Sequence, residues 1–303
     1  MDKQEIVSKL LVNQLLVSPS ILEKLDEKNI EDVIASVPKK VIVITDLKED
    51  DVKIRQVKIH EKKKMGVNDF IQYYKNRYEK IKAVLLKKMD AISINKTRGI
   101  YNSVSVIGMA KELTPTGFFL EDETGEIEVI YNNSGLKRDD VIGVIGIVKE
   151  DRLFGKDIIF PDIPLAKKIT TMDLSLLLTT EKAMAEADYI ITTHKPLTQR
   201  HIQFTTNPAI IKITSGEKEF IILIYRPQNP LGEPEIREAL KKRHLGPTLN
   251  MIKSDEDHFA LEPLPDVIWL IQESKWTANY KGISILSFQG SAKINLNNRE
   301  INL

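Results

Sequence analysis

An apolar run, Val267 to Ile271, breaks off into Gln272, Glu273, Ser274 and Lys275. Polar side chains just beyond a strand end are where α/β proteins commonly place chemistry, so catalysis is the first thing to ask of this stretch. The rest of the chain gives it little help. Five histidines, His60, His194, His201, His244 and His258, form no H-E-x-x-H, and even the nearest pair, His194 and His201, lacks metal-ligand company. Ser287 and Ser291 flank "FQG" without a nucleophile elbow, and neither G-x-x-x-x-G-K-[ST] nor G-x-G-x-x-G occurs. Zero cysteines exclude disulfides, thiolate zinc sites and a cysteine nucleophile, and they suit an intracellular protein.

A length of 303 residues allows two or three domains. Forty-four basic against 43 acidic residues leave a formal charge of +1, so composition alone demands neither nucleic acid nor any other charged partner. The opening "MDKQEIVSKLLVNQLL" mixes acids with lysines and has no apolar run of spanning length, which predicts no secretory signal, no membrane partner and a cytoplasmic protein.

The elements that must position any site follow from periodicity. Residues 1–45 place Ile6, Leu10, Leu11, Leu15, Leu22, Leu25, Ile30, Val33 and Ile34 at helical spacings, with new helices expected from Ser18-Pro19 and Asn29: a small helical module. Residues 46–90 predict a short strand or two, a charged hinge-like connector, and an amphipathic helix whose buried face is Phe70, Tyr74, Tyr78, Ile81 and Leu85. Between 91 and 163 the period changes to two, and five short strands separated by turns predict a closed barrel resembling an OB-fold. "EDETGEI" marks a hairpin, with Gly125 free to take positive φ and Asp122 and Thr124 able to bond the turn backbone.

Such barrels bind single strands through aromatic stacking and basic residues. The candidate DNA contacts are Lys111, Phe118, Tyr131, Lys137, Arg138, Arg152 and Lys156, although adjacent Phe118 and Phe119 must point opposite ways, which places one in the core. A barrel that only holds partners together is an equal reading. Residues 164–303 alternate short apolar strands with "GEPEIREALKKRHLG", a layered α/β or sheet-sandwich pattern. The fold class is therefore α+β and multidomain.

The runs "NDFIQYYKNRYEKIKAVLLKKMDAISI", "DIIFPDIPL", "NPAIIKITSGEKEFIILIY", "EALKKRHLGP", "PDVIWLI" and "NYKGISILSFQGS" are similar, in that order, to the small subunit of the archaeal D-family DNA polymerase, of the polymerase B-subunit family. That resemblance implies a helical N-terminal module, an OB-fold and a calcineurin-like phosphoesterase domain, which in the archaeal subunit is a two-metal 3′-5′ exonuclease. Two-metal chemistry needs several anionic or imidazole groups around each cation and a bridging water. The family supplies them through D-x-H, G-D-x-x-D, G-N-H-D, a lone histidine after an "LIY" strand, and G-H-x-H.

None of the multi-residue motifs is present. "KKITTMDLSLLL" stands where D-x-H is expected, Arg226 takes the lone histidine position, and Ile271, Gln272, Glu273 and Ser274 take the place of G-H-x-H. Arg226 brings a fixed positive charge, and Gln272 and Ser274 are weak substitutes for imidazole. Arg226, Gln272 and Ser274 thus read as a degenerate former site. The resemblance, together with the missing motifs, implies a chain without cofactor or catalytic metal, serving as a non-catalytic accessory subunit beside a catalytic DNA polymerase subunit and contacting single-stranded or primer-template DNA. A free-standing single-strand-binding protein is the alternative; a residual metal-dependent 3′-5′ exonuclease has less support.

Overall fold

The computed structural model describes residues 3–12, 15–17, 30, 42–44, 52–100, 102–131, 135–165, 167–182 and 186–302. Two compact units are present, Met1–Lys53 and Ile54–Leu303. In the first, α1 (Lys3–Val12) buries Ile6 and Leu10, one helical turn apart, while β1 (Leu15–Val17) and β2 (Ile42–Ile44) pair in parallel. Leu15, expected on a helix, instead opens β1, so the module is not purely helical; the helices expected from Ser18-Pro19 and Asn29 lie outside the described residues, apart from Ile30, which is helical and buried.

The second unit takes in the end of β3 (Val52–Gln56), after which residues 57–66 form no regular element. A hinge was the expectation for this charged stretch, and the structure corrects it. The Val57 amide donates to Ile210 O at 2.8 Å, the Lys62 amide to Lys253 O at 2.7 Å, and Lys62 Nζ reaches both Asp69 and Asp255 at 2.7 Å. Backbone hydrogen bonds to fixed neighbours hold the segment in place whatever its composition.

Helix α2 (Val67–Leu85) opens with the Gly66 amide donating to the Asp69 carboxylate at 2.8 Å. Its buried face is Tyr73, Arg77, Tyr78, Ile81, Val84 and Leu85, so the expected face is right in its second half and rotated in its first, where Phe70 and Tyr74 are only partly buried. Tyr78, Ile81 and Leu85 pack on Ile107 and Val141, and the Tyr78 hydroxyl donates to Ile107 O at 3.2 Å.

Ile107 and Val141 belong to a closed barrel built from β4 (Ser103–Thr114), β5 (Gly117–Asp122), β6 (Gly125–Ile130), β7 (Val141–Lys149) and β8 (Arg152–Ile159), in the order β4-β5-β6-β8-β7. The expected five-strand barrel is thus observed. All neighbours are antiparallel except β6 and β8, which run parallel. Inward residues Val104, Val106, Phe118, Leu120, Val129 and Leu153 alternate with outward ones and fill the interior. At Gly117 a Cβ would sit 1.8 Å from the Val129 carbonyl oxygen, so only glycine permits that approach of β5 to β6. The β5–β6 hairpin is fixed by the Asp122 carboxylate, which accepts from the Thr124 and Gly125 amides at 2.7 and 3.0 Å. Gly125 is not among the positive-φ residues; the aspartate shapes the turn and leaves Gly125 to start β6.

The remaining strands form two sheets. β9 (Ser175–Thr179), β10 (Tyr189–Thr192) and β11 (His201–Gln203) join the later β17 (Ser291–Asn295) and β18 (Ile301–Asn302) in the order β11-β10-β9-β17-β18. β12 (Ala209–Ser215), β13 (Lys218–Tyr225), β14 (Val267–Leu270), β15 (Trp276–Tyr280) and β16 (Ile283–Ser287) form a sheet of order β15-β16-β14-β13-β12-β3. Helix α3 (Glu233–Lys242) has acids in its first turn and lysines in its last, matching its dipole. Its Ile236 and Leu240 cover Leu223, Ile268 and Leu270 on one face of the six-stranded sheet. Facing the other way, fully buried Trp269 stacks on Phe288 at 5.0 Å and meets Phe204 edge-on at 5.8 Å.

Candidate functional site

Strands β13, β14 and β16 run parallel, with Tyr225 paired to Leu270 and Leu270 to Ser287. Their carboxyl ends therefore lie along one edge of the sheet, and that edge gathers Arg226, Gln272 and Ser287. Gln272 is 7 % exposed. Its carboxamide is matched at both ends by one residue of the loop before α3: the Leu231 amide donates to Oε1 at 2.9 Å and Nε2 donates to Leu231 O at 2.8 Å. Nε2 also lies 2.7 Å from Ser274 Oγ and 2.9 Å from Ser287 Oγ. The Ser287 hydroxyl is spent on the Ser274 carbonyl, which leaves its lone pairs for the amide and for the Ser274 hydroxyl at 3.2 Å.

This network is neutral, closed and saturated. It contains no carboxylate or imidazole, and its oxygens already accept hydrogen bonds, so these residues do not fit a pair of divalent cations and offer no base for a water. Arg226 does not join it. Its side chain is exposed, and its backbone is clasped by Asn207, which accepts from the Arg226 amide at 2.9 Å and donates to its carbonyl at 2.8 Å. Glu273 and Lys275 are exposed. Among the described residues no group of three or more His, Asp or Glu side chains is arranged to hold a metal ion. His194 Nε2 lies 3.0 Å from Thr180 O and His201 Nδ1 lies 2.7 Å from Thr198 Oγ1, so each imidazole has a separate local partner.

The network carries a prediction. Gln272→Glu removes the donors to Leu231 O and the serines and sets a carboxylate against them, so stability should fall by about 1–3 kcal/mol at pH 8. A buried carboxyl facing acceptors has a raised pKa, and its loss of stability grows as pH rises. Urea denaturation at pH 5 and pH 8 should show the larger deficit at pH 8.

The residues proposed for DNA contact are dispersed over the barrel. Phe118 is 1 % exposed in its interior, which corrects its candidacy: a base cannot stack on a ring enclosed by the core, and the outward neighbour is Phe119. Tyr131 is half-buried; Lys111, Lys137, Arg138, Arg152 and Lys156 are exposed. Lys111 is held by Glu126 at 2.8 Å and Glu121 at 3.7 Å, Arg152 by Glu128 at 3.0 Å, and Arg138 lies 3.8 Å from Asp139. The cations with acidic neighbours attract phosphate less than their number suggests.

The most elaborate polar cluster lies elsewhere, and sequence reading missed it. Asp257, wholly buried, accepts on one oxygen from Arg77 Nε at 2.8 Å and His244 Nε2 at 2.9 Å, and on the other from the Phe259 and Ala260 amides at 2.8 and 3.2 Å. The Gly246 amide donates to His244 Nδ1 at 3.0 Å, which fixes the proton on Nε2 and leaves the ring neutral. Arg77 is thus the cation that balances Asp257. Burial alone would raise the Asp257 carboxyl, but the donors around it hold it well below the ordinary range. Burial pushes the His244 imidazole below its usual 6.5, against the pull of Asp257. Nearby, Lys242 joins Asp140 at 2.7 Å and Gly135 O at 2.7 Å, tying the end of α3 to the barrel loop. A helix–barrel–sheet junction therefore rests on buried charges whose partners lie far apart in sequence.

A buried neutral histidine makes stability depend on pH. The unfolded ring takes a proton near 6.5 while the folded ring resists it, so the unfolded state binds more protons and stability falls as pH drops below about 6.5. His258, also lowered by burial, acts in the same direction, whereas Asp140, raised by burial, acts oppositely near its own pKa. Reading wild type against His244→Gln isolates the ring: the difference in unfolding free energy should be flat above about pH 7.5 and change below about 6.5, with a slope up to about 1.4 kcal/mol per pH unit.

Comparison with known proteins shows where the chain has counterparts. The chain is 32% identical over 110 residues to the DNA polymerase II small subunit of Archaeoglobus fulgidus, an alignment covering 33% of this chain and 22% of that protein. It is 32% identical over 127 residues to the DNA polymerase II small subunit of Methanothermobacter thermautotrophicus, covering 36% of this chain and 26% of that protein. The chain thus spans about a quarter of the length of the curated relatives it matches. No protein-family model matches it. Over the matched third of its length, the chain is similar to the DNA polymerase II small subunits of these two archaea.

Proposed function

We propose that this chain is a non-catalytic accessory subunit of a replicative DNA polymerase, working in the cytoplasm as a scaffold for the catalytic chain. On this reading residues 1–45 are an N-terminal module of helix α1 and the β1–β2 strand pair, 46–90 a connector and helix, 91–163 an OB-fold, and 164–303 a degenerate calcineurin-like phosphoesterase domain. The observation that carries it is the strand edge where the resemblance would require imidazoles: Gln272 and Ser274 stand there in a closed neutral network, and Arg226 stands exposed beside it. A lineage of polymerase small subunits with its ligand positions replaced by structural hydrogen bonds keeps a use for the scaffold, not for hydrolysis. No described helix is long and apolar enough to cross a membrane. DNA contact by the barrel is secondary, because Lys111 and Arg152 already face glutamates.

The test has two arms. Purified from its native cell, the protein should co-elute with a DNA polymerase chain through an interface of at least about 1,000 Å². It should also leave single-stranded DNA intact in manganese. Elution as a free monomer with no polymerase among cross-linked partners would refute the scaffold reading, and manganese-dependent loss of 3′ nucleotides that tracks the protein through successive columns would refute the non-catalytic one.

A further inference from the structure

The first turns of α2 present a second apolar face. Val67 and Ile71 share one side of the helix and are 78 % and 56 % exposed, while Tyr73, Arg77 and Tyr78 turn inward. Beside this face runs a groove of about 480 Å³ whose apolar floor includes Met65, Phe70, Leu249 and Ile252. Leu249 among them is 66 % exposed. Isolated exposed aliphatics are ordinary, but here Leu249 lines the groove, and Val67 and Ile71 adjoin its lining residues Met65 and Phe70 along the chain.

The charge around the groove is unevenly spent. Lys62 is committed to Asp69 and Asp255, and Lys253 and Glu61 lie 3.9 Å apart. Lys63, on the rim, and Lys64, next to it, are exposed and have no ion pair among the described residues. What remains for a partner is an apolar floor and positive charge. We propose that this groove docks an acidic peptide segment of a partner protein, with an apolar anchor side chain on the floor and carboxylates facing Lys63 and Lys64.

Charge complementarity selects this occupant over the others. A second copy of the chain would bring the same lysines to a two-fold contact, where like charges repel. Nucleic acid would find two unspent cations and a largely aliphatic floor, against the several phosphate contacts and stacked aromatics such binding uses. The clip between Lys62 and Lys253 holds the two walls together, so the groove exists before the peptide arrives and ordering costs are small. This inference does not rest on the polymerase reading.

The test is selection of a random dodecapeptide display library on the immobilised full chain. Enriched peptides should share an apolar residue flanked by Asp or Glu, and a synthetic copy should bind with a Kd that rises at least about tenfold in K63E/K64E and in V67S/I71S, a rise that corresponds to about 1.4 kcal/mol. All four substitutions are at exposed positions and leave the fold intact, which circular dichroism verifies. No enrichment, basic or uncharged consensus peptides, or unchanged affinity in both variants would overturn the proposal. So would cross-links from Lys63 or Lys64 to Lys3 or Lys9, which would make the chain's own N-terminal segment the occupant. Dimers lost in V67S/I71S, or oligonucleotide binding lost in K63E/K64E, would likewise assign the groove to another partner.

Discussion

Replacing Arg77 with methionine should destabilise the protein by about 3–5 kcal/mol, because Asp257 would be left as a buried charge without its counterion. Arg77 also donates to the Tyr73 hydroxyl at 3.1 Å and lies 5.0 Å from the Tyr74 ring, so the variant loosens the start of α2 as well. The double variant Arg77→Met/Asp257→Asn removes both charges, and its loss in urea denaturation should be clearly smaller than the sum of the two single losses. Additive losses would show that the pair does not function as a unit. Lys75 supplies the control: it lies 3.8 Å from Glu79 on the exposed side of the same helix, and Lys75→Met should cost less than about 0.5 kcal/mol.

An effect of similar size is expected at the centre of the six-stranded sheet. Trp269 is 0 % exposed, stacks on Phe288, touches Phe204, and donates from Nε1 to Phe288 O at 3.2 Å. Trp269→Ala should cost about 3–5 kcal/mol, since a rigid sheet flanked by packed layers collapses poorly around a lost indole. Trp269→Phe keeps the stack but leaves the Phe288 carbonyl without its donor, for a smaller loss of about 1–3 kcal/mol. The two urea midpoints separate packing from hydrogen bonding; equal losses in both variants would locate the whole effect in the hydrogen bond.

The sequence announced the barrel because its signals are local. Alternation along β4 to β8 puts Val104, Val106, Phe118 and Leu120 inside, and the Asp122 turn can be read from a few consecutive residues. The strand-edge network was legible for another reason: the resemblance pointed to Gln272 and Ser274, and both take part in it, whereas Arg226 does not. Arg77 was illegible on both counts. A lysine- and arginine-rich helix ordinarily turns its cations to water, and the residue that brings Arg77 inside lies 180 positions away. Phe70 and Tyr74 were expected inside for the same reason, as the natural apolar face of a helix read in isolation. The connector 57–66 looked mobile from composition, but backbone bonds to Ile210 and Lys253 and the Lys62 ion pairs with Asp69 and Asp255 hold it.

That separation of 180 residues also sets an order of events during synthesis. Helix α2 and the barrel leave the ribosome well before Asp257 and His244 exist, so their apolar contact through Tyr78, Ile81 and Leu85 can form while the Arg77 guanidinium is still hydrated. When the late-arriving loop delivers its carboxylate, the cation exchanges water for Asp257, and Lys80 exchanges it for the Asp257 carbonyl at 2.9 Å. The nascent chain thus carries an unfilled polar socket through most of its translation, and a ribosome that stalls before residue 257 exposes a basic helix face that a completed chain hides.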